Sequence, residues 1–297
     1  MVEQVQLGDH VCAFVDGTDD RLDVMAQSVV AGLAAGHRVM VFTEALLPIA
    51  VLAGLEARGV PVDPARRAGQ VQILPARDAY LPAGRFEPHR ALDSLVGHID
   101  RAAAAGYPGL RLVGDMAWAL DEPAGTNQLA GYEAHVTRLY LDGRALGICL
   151  YDRRAFDTDL LRQVACAHPT TSTPGSRRAN GWAAVLRIRR TSDPYGLRLI
   201  GEADLSNRQS VATALDAVLD QQPDPAVPIV IDVAALRFAD VATGALLGRL
   251  TLRAPAGVHL TGCHGALETV LDHLGVTQLA RMRLTRATGD TTTEMAA

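Results

Sequence analysis

The chain opens with short apolar runs, rich in β-branched residues, that alternate with longer segments of helical periodicity. Residues 11–15, 38–43, 71–75, 110–115 and 146–151 carry the strand signature. Between them the pattern predicts helices from Asp19 or Asp20 to about 35, over 45–58, over 88–105 and over 126–141. Each stops beside a glycine, at Gly36, Gly59, Gly106 and Gly143, the residue that best adopts the left-handed turn closing a helix. Nearly continuous apolar strands alternating with helices predict an α/β fold whose parallel sheet is covered on both faces.

This periodicity lapses over 168–181, where His168-Pro169-Thr170-Thr171-Ser172-Thr173-Pro174-Gly175 gathers turn-forming residues. The expected organisation is a first domain over 1–169, a linker over 170–183, a smaller α/β domain over 184–288 and a frayed tail over 289–297. In the second domain, strands over 185–189 and 197–202 flank an Asp193-Pro194-Tyr195-Gly196 turn. A helix over 207–219, a strand over 228–233, a helix over 241–253, a strand over 257–261 and a helix over 266–274 follow.

Composition narrows the chemistry. Of 297 residues, 48% are hydrophobic but only 4% aromatic, so the cores are built from Leu, Val, Ile and Ala. No charge-free apolar stretch is long enough to span a bilayer and the start lacks a signal-peptide pattern, so the expectation is a cytoplasmic protein without membrane contact. A net charge of −5 argues against direct nucleic-acid binding. All 28 basic residues are arginine. Without lysine, neither the usual phosphate-binding loop nor a Schiff-base enzyme can be built. The four cysteines form no Cys-x-x-Cys pair and read as small core residues.

The stretch Leu236-Arg237-Phe238-Ala239-Asp240-Val241-Ala242-Thr243-Gly244 runs from a strand through a polar corner into a helix. Together with Gly201-Glu202-Ala203-Asp204-Leu205, it resembles the phospho-acceptor loop and the Gly-Glu-Leu-Asp segment of STAS domains, the anti-sigma-factor antagonist family. The resemblance implies a small sheet with helices on one side and a partner, an anti-sigma factor or related regulator, bound around Asp240, Val241, Ala242 and Thr243. Ala242 stands where the family's phosphorylated serine would be, so that switch has no hydroxyl to use. Thr243 is one position on, about 100° around the helix. It reads either as a helix-start hydroxyl bonded to local backbone or as a displaced phospho-acceptor. Gly244 and Gly248 are expected to bring their helix close to the sheet.

In the first domain, Gly8-Asp9-His10-Val11-Cys12-Ala13-Phe14, Tyr80-Leu81-Pro82-Ala83-Gly84-Arg85-Phe86, Asp115-Met116-Ala117-Trp118, Tyr132-Glu133-Ala134 and Cys149-Leu150-Tyr151-Asp152 together resemble the MEDS sensory domain. That family is similar to RecA/KaiC-type folds. The loop Asp16-Gly17-Thr18-Asp19-Asp20-Arg21 has neither a glycine cradle nor a lysine, so the implied architecture lacks a P-loop. His10, Cys12, Asp115, Trp118, Glu133 and Tyr151 are the ligand-pocket candidates. Asp115 ends a strand where a working ATPase holds magnesium. Trp118 and Tyr151 follow strand ends and are either pocket-lining or edge-of-core aromatics. His10 and Cys12 share one strand face and are the nearest approach to a metal pair, to which Cys149 can come close from another strand. Two ligands fall short of a closed site, so no metal and no particular cofactor is assigned. A buried thiol beside a backbone-bonded histidine and a redox-sensing thiol are the other readings of that pair. Asp152-Arg153-Arg154 and Arg177-Arg178 read as solvated surface.

The expected function is signalling: the first domain senses a small molecule or redox state and the second captures a partner, with a homo-oligomer open. The alternatives are a degenerate RecA-like hydrolase, a catalyst using Cys12 with His10, or a structural subunit of a STAS assembly.

Overall fold

The computed structural model describes residues 5–180, 182 and 184–287, and the chain divides into two compact units, Met1–Ala184 and Val185–Ala297. The tail expected at 289–297 lies outside the described residues.

The first unit begins with β1 (His10–Val15), α1 (Thr18–Ala34), β2 (Arg38–Thr43), α2 (Pro48–Glu56), α3 (Val62–Arg67) and β3 (Val71–Pro75). It continues with α4 (Ala76–Tyr80), α5 (Pro88–Ala104), β4 (Leu110–Asp115), two 3₁₀ turns, α6 (Leu129–Tyr140) and β5 (Ala145–Asp152). The last elements are α7 (Thr158–Ala167), β6 (Thr170–Ser172) and α8 (Pro174–Asn180). The six strands pair in parallel in the order β3-β2-β4-β5-β1-β6.

From β1 the chain steps outward to β2 and β3, then returns through β4 and β5 to β6 beyond β1. Right-handed crossovers therefore put α1–α3 on one face and α4–α7 on the other. The alternating side chains feed two cores accordingly. Val11, Ala13 and Val15 of β1 join one with Val24, Met25 and Val51, whereas Cys12 joins Cys149, Tyr151, Val136 and Tyr140 in the other.

Several expected boundaries move, each for a local reason. The second helix starts at Pro48 rather than 45, because the Asp115 carboxylate takes the N–H groups of Glu44 and Ala45 and holds that segment as a loop. Proline then opens the helix at a position that needs no donor. Helix α7, which the apolar pattern did not reveal, is capped by Asp157, whose carboxylate accepts from the N–H groups of Asp159 and Leu160. The stretch expected as a linker instead supplies an edge strand, with Val11, Cys12 and Ala13 registered against Thr170, Thr171 and Ser172. Arg177 is not solvated surface: its guanidinium is nearly buried, bonds Asp20 through both carboxylate oxygens and donates to the Phe14 carbonyl.

The second unit contains β7 (Leu186–Ser192), β8 (Tyr195–Ala203), α9 (Arg208–Asp220), β9 (Ile229–Ala239), α10 (Val241–Arg253), β10 (Val258–Cys263), α11 (Gly265–His273) and β11 (Met282–Arg286). Its sheet order is β11-β10-β9-β8-β7, antiparallel only between β7 and β8. Strands β8 to β11 are laid down in sequence order, so right-handed crossovers place α9, α10 and α11 on one face, where α10 packs on both neighbours. Leu197, Leu199, Ile231, Val233 and Leu260 are buried, while Arg198 pairs with Asp232 on the opposite face at 2.6 Å. Gly244 and Gly248 serve a different contact from the one expected. A Cβ on them would meet Leu274 at 2.9 Å and Val276 at 2.8 Å, so they admit the α11 region rather than the sheet.

Candidate functional site

Four chemically distinctive side chains meet in the interior of the first unit, between the sheet and the α6–α7 layer. His10 opens β1, Cys149 lies in β5, Glu133 lies on α6 and His168 ends α7. Their ligand atoms all lie within 4.8 Å of one another, and all four residues are buried. Glu133 Oε2 is 3.5 Å from His10 Nε2, 3.5 Å from His168 Nε2 and 3.4 Å from Cys149 Sγ. Cys149 Sγ is also 3.5 Å from His10 Nε2.

The folding of each element explains the convergence. Strand alternation turns His10 and Cys12 to the same face, and the β1–β5 register sets Cys12 beside Cys149 and His10 beside Gly147. Gly147 leaves the space that Tyr140 fills; a Cβ there would lie 2.4 Å from the phenol oxygen. On α6, Glu133, Thr137 and Tyr140 are spaced i, i+4 and i+7, so one face presents all three to the sheet.

Neighbours hold the cluster's orientation. The Tyr151 hydroxyl donates to Glu133 Oε1. The Thr137 hydroxyl lies 3.0 Å from His10 Nδ1. His168 Nδ1 is 2.7 Å from the Val164 carbonyl, which can only accept, so that nitrogen carries the proton and Nε2 bears the lone pair. Among the described residues, His168 Nε2 itself has no hydrogen-bond partner.

Burial dominates the protonation chemistry. It pulls both His10 and His168 down to about 3, the neighbouring His10 adding to the effect on His168, so both imidazoles are neutral at physiological pH. Burial, reinforced by the Glu133 charge, raises the thiols of Cys12 and Cys149 well above their ordinary value. Close as they are to Glu133, the two histidines therefore do not form ion pairs with it. His168 turns a lone pair toward a carboxylate in a dry interior, where an unmatched acceptor is costly.

Of the residues expected to line a pocket, His10, Glu133 and Tyr151 come together here, with Cys12 alongside. His168 and Thr137 were not anticipated. Glu133 and Thr137 occupy the buried stripe of α6, a signal readable from helical spacing, whereas His168 had none because its segment reads as linker. The other two candidates lie elsewhere. Trp118 is fully buried and stacks on Tyr80 at 5.2 Å, with Phe86 tilted against it.

Asp115 is tied to protein groups at the C-terminal end of β4. It accepts from the N–H groups of Glu44, Ala45 and Ala117, and Arg21 approaches it at 3.5 Å and Asp152 at 3.7 Å. Arg153 pairs with Asp16 and Arg154 with Asp152. The corner at the C-terminal ends of β1, β4 and β5 is thus crossed by carboxylate–arginine pairs.

The profile of the MEDS family, described as "MEthanogen/methylotroph, DcmR Sensory domain", matches residues 9–169, more than half of the chain. The chain belongs to the MEDS family. The cluster therefore lies inside the MEDS domain, with His168 one residue before the end of the match. Solved structures similar to the chain include flagellar accessory protein FlaH from Methanocaldococcus jannaschii, at 12% identity and a TM-score of 0.40 over 62% of this chain and 72% of that one. A KaiC-like protein from Pyrococcus horikoshii OT3 is similar at 8% identity and a TM-score of 0.44, over 65% and 79%. No curated protein matches the sequence.

In the second unit, Asp240 caps α10 by accepting from the Thr243 N–H at 2.8 Å. The Thr243 hydroxyl is fully buried and lies 3.1 Å from the Ala203 carbonyl and 3.0 Å from Asp240 Oδ1. Around this corner, at the ends of β8 and β9, Leu205, Phe238 and Val241 are 64%, 50% and 61% exposed. Among the described residues no helix is long and apolar enough to cross a membrane.

Proposed function

We propose that the chain is a two-part signalling protein: the MEDS domain receives a small-molecule or redox signal, and a STAS-like second unit docks a regulatory protein of the anti-sigma-factor type. The sensory family of the first unit supports the first half. The observation that carries the second is the apolar trio Leu205, Phe238 and Val241 beside the Asp240 cap. Large apolar side chains gathered at the ends of two adjacent strands favour a protein contact over solvent.

The STAS-like reading rests on the Gly201–Leu205 and Asp240–Gly244 motifs, and the helices on one sheet face are consistent with it. Docking in this reading has no phosphate switch, because Ala242 has no hydroxyl and the Thr243 hydroxyl is engaged inside the fold. Control then comes from the MEDS domain, through a signal that binds two states of the protein unequally.

The test compares the intact protein, a Val241→Arg variant and a Phe238→Arg variant as baits in host lysate. Capture of a kinase-like anti-sigma factor by the first, and its loss from the other two, is the expected result. Equal capture by all three, or no such partner, would remove this surface from the proposal.

A further inference from the structure

We infer that His10 Nε2, Glu133 Oε2, Cys149 Sγ and His168 Nε2 are the four ligands of a tetrahedral transition-metal site, with zinc(II) the best-fitting ion. The inference adds an occupant to the MEDS domain and does not depend on what the second unit docks.

Geometry is the first support. Zinc bonds of about 2.0–2.2 Å to nitrogen and oxygen and about 2.3 Å to sulfur give tetrahedral edges of about 3.3–3.6 Å. Four of the six separations among these atoms are 3.4–3.5 Å, and all six lie within 4.8 Å. The two remaining separations shorten by at most about 1.5 Å when an ion sits at the centre. Two imidazoles, a carboxylate and a thiol form a borderline-soft set that suits zinc and disfavours magnesium and calcium, which take oxygen ligands.

The second support is the orphaned nitrogen. Its partner bond to Val164 fixes the His168 proton on Nδ1, and the bare Nε2 lone pair faces the other donors with no hydrogen bond among the described residues. Such a fully buried acceptor needs a partner, and a cation at the centre supplies one.

The surrounding bonds form the support that metal ligands ordinarily need. Val164 orients His168, Thr137 orients His10 and Tyr151 holds the far oxygen of Glu133. Charge also balances. On binding, Cys149 gives its proton to solvent; one thiolate and one carboxylate then cancel the two positive charges, leaving a neutral centre in an apolar core. Four protein donors leave no open position, which is the pattern of a structural site rather than a hydrolytic one. With every donor buried, the ion enters as the chain folds or through a transient opening, and exchange is slow.

The experiment uses the full chain produced in zinc-supplemented medium, freed of loose metal and measured for zinc per chain. The same chain is then refolded with cobalt(II). About one zinc per chain is expected, and the cobalt form should show the intense visible bands of a tetrahedral site with a thiolate-to-cobalt transition. Cys149→Ser should lose that transition and His168→Gln should lose most of the bound ion. Tyr151→Phe, which keeps all four ligands, should weaken binding by about 10–100-fold. Circular dichroism checks that the variants fold, and the wild-type spectrum stands on its own if they do not.

Folded wild-type protein that carries no zinc and takes up no cobalt would overturn the inference. So would metal held equally by Cys149→Ser and His168→Gln, or a Cys12–Cys149 disulfide in place of free thiols. Docking at Val241 is scored separately, so an empty site and a failed docking surface give different results.

Discussion

Replacing Tyr151 by phenylalanine removes one oxygen atom and leaves the ring where it is. That oxygen donates to Glu133 Oε1 in a fully buried setting, and Tyr151 itself has no solvent exposure. A hydrogen bond to a charged group contributes about 1.5–3 kcal/mol net, and the acceptor left behind carries its own desolvation cost. The void is smaller than a water molecule, so cavity formation adds little. A loss of about 2–3 kcal/mol is expected, or about 30- to 150-fold in the unfolding equilibrium. With the usual unfolding entropy per residue, a unit of this size should melt about 5–8 °C lower. The chain's two tryptophans, Trp118 and Trp182, both lie in the first unit. Tryptophan fluorescence in urea therefore follows this unit apart from the second. A shift below about 0.5 kcal/mol would show that Glu133 does not depend on this donor and would refute the account of how the cluster is held.

Three other substitutions test separate links. Gly147→Ala forces a methyl against the buried Tyr140 phenol, 2.4 Å away; a loss of about 1–3 kcal/mol is expected in the same fluorescence titration. Arg177→Ala leaves Asp20 and the Phe14 carbonyl without their guanidinium, costing about 1–3 kcal/mol because Asp20 is only partly buried. It should also change Trp182 emission, since the guanidinium lies 5.4 Å from that ring. Asp240→Ala removes the cap of α10 and should lower the stability of the second unit by about 1 kcal/mol, read by far-ultraviolet circular dichroism.

Much of the architecture was legible because it depends on local patterning. The five principal strands of the first unit and the α/β alternation follow from apolar runs bounded by glycine. In the second unit the helix predicted over 241–253 is observed with those bounds as α10. What escaped were elements whose identity depends on distant partners. The Thr170–Ser172 strand has no apolar signature and exists because β1 offers it an edge. Helix α2 begins late because a carboxylate some seventy positions away occupies the preceding N–H groups.

The candidate site divides along the same line. The sequence by itself determined that His10 and Cys12 share a face, that Glu133 falls within a helical stretch, and that a lysine-dependent phosphate loop is excluded. Those conclusions require only the periods of strand and helix and a residue count. Only the tertiary structure decided that Cys149 and His168, more than a hundred residues from His10, complete one cluster, because strand register and helix packing bring them together. It also decided their charge state, since the same imidazole is a base in water and a neutral donor where the fold excludes water.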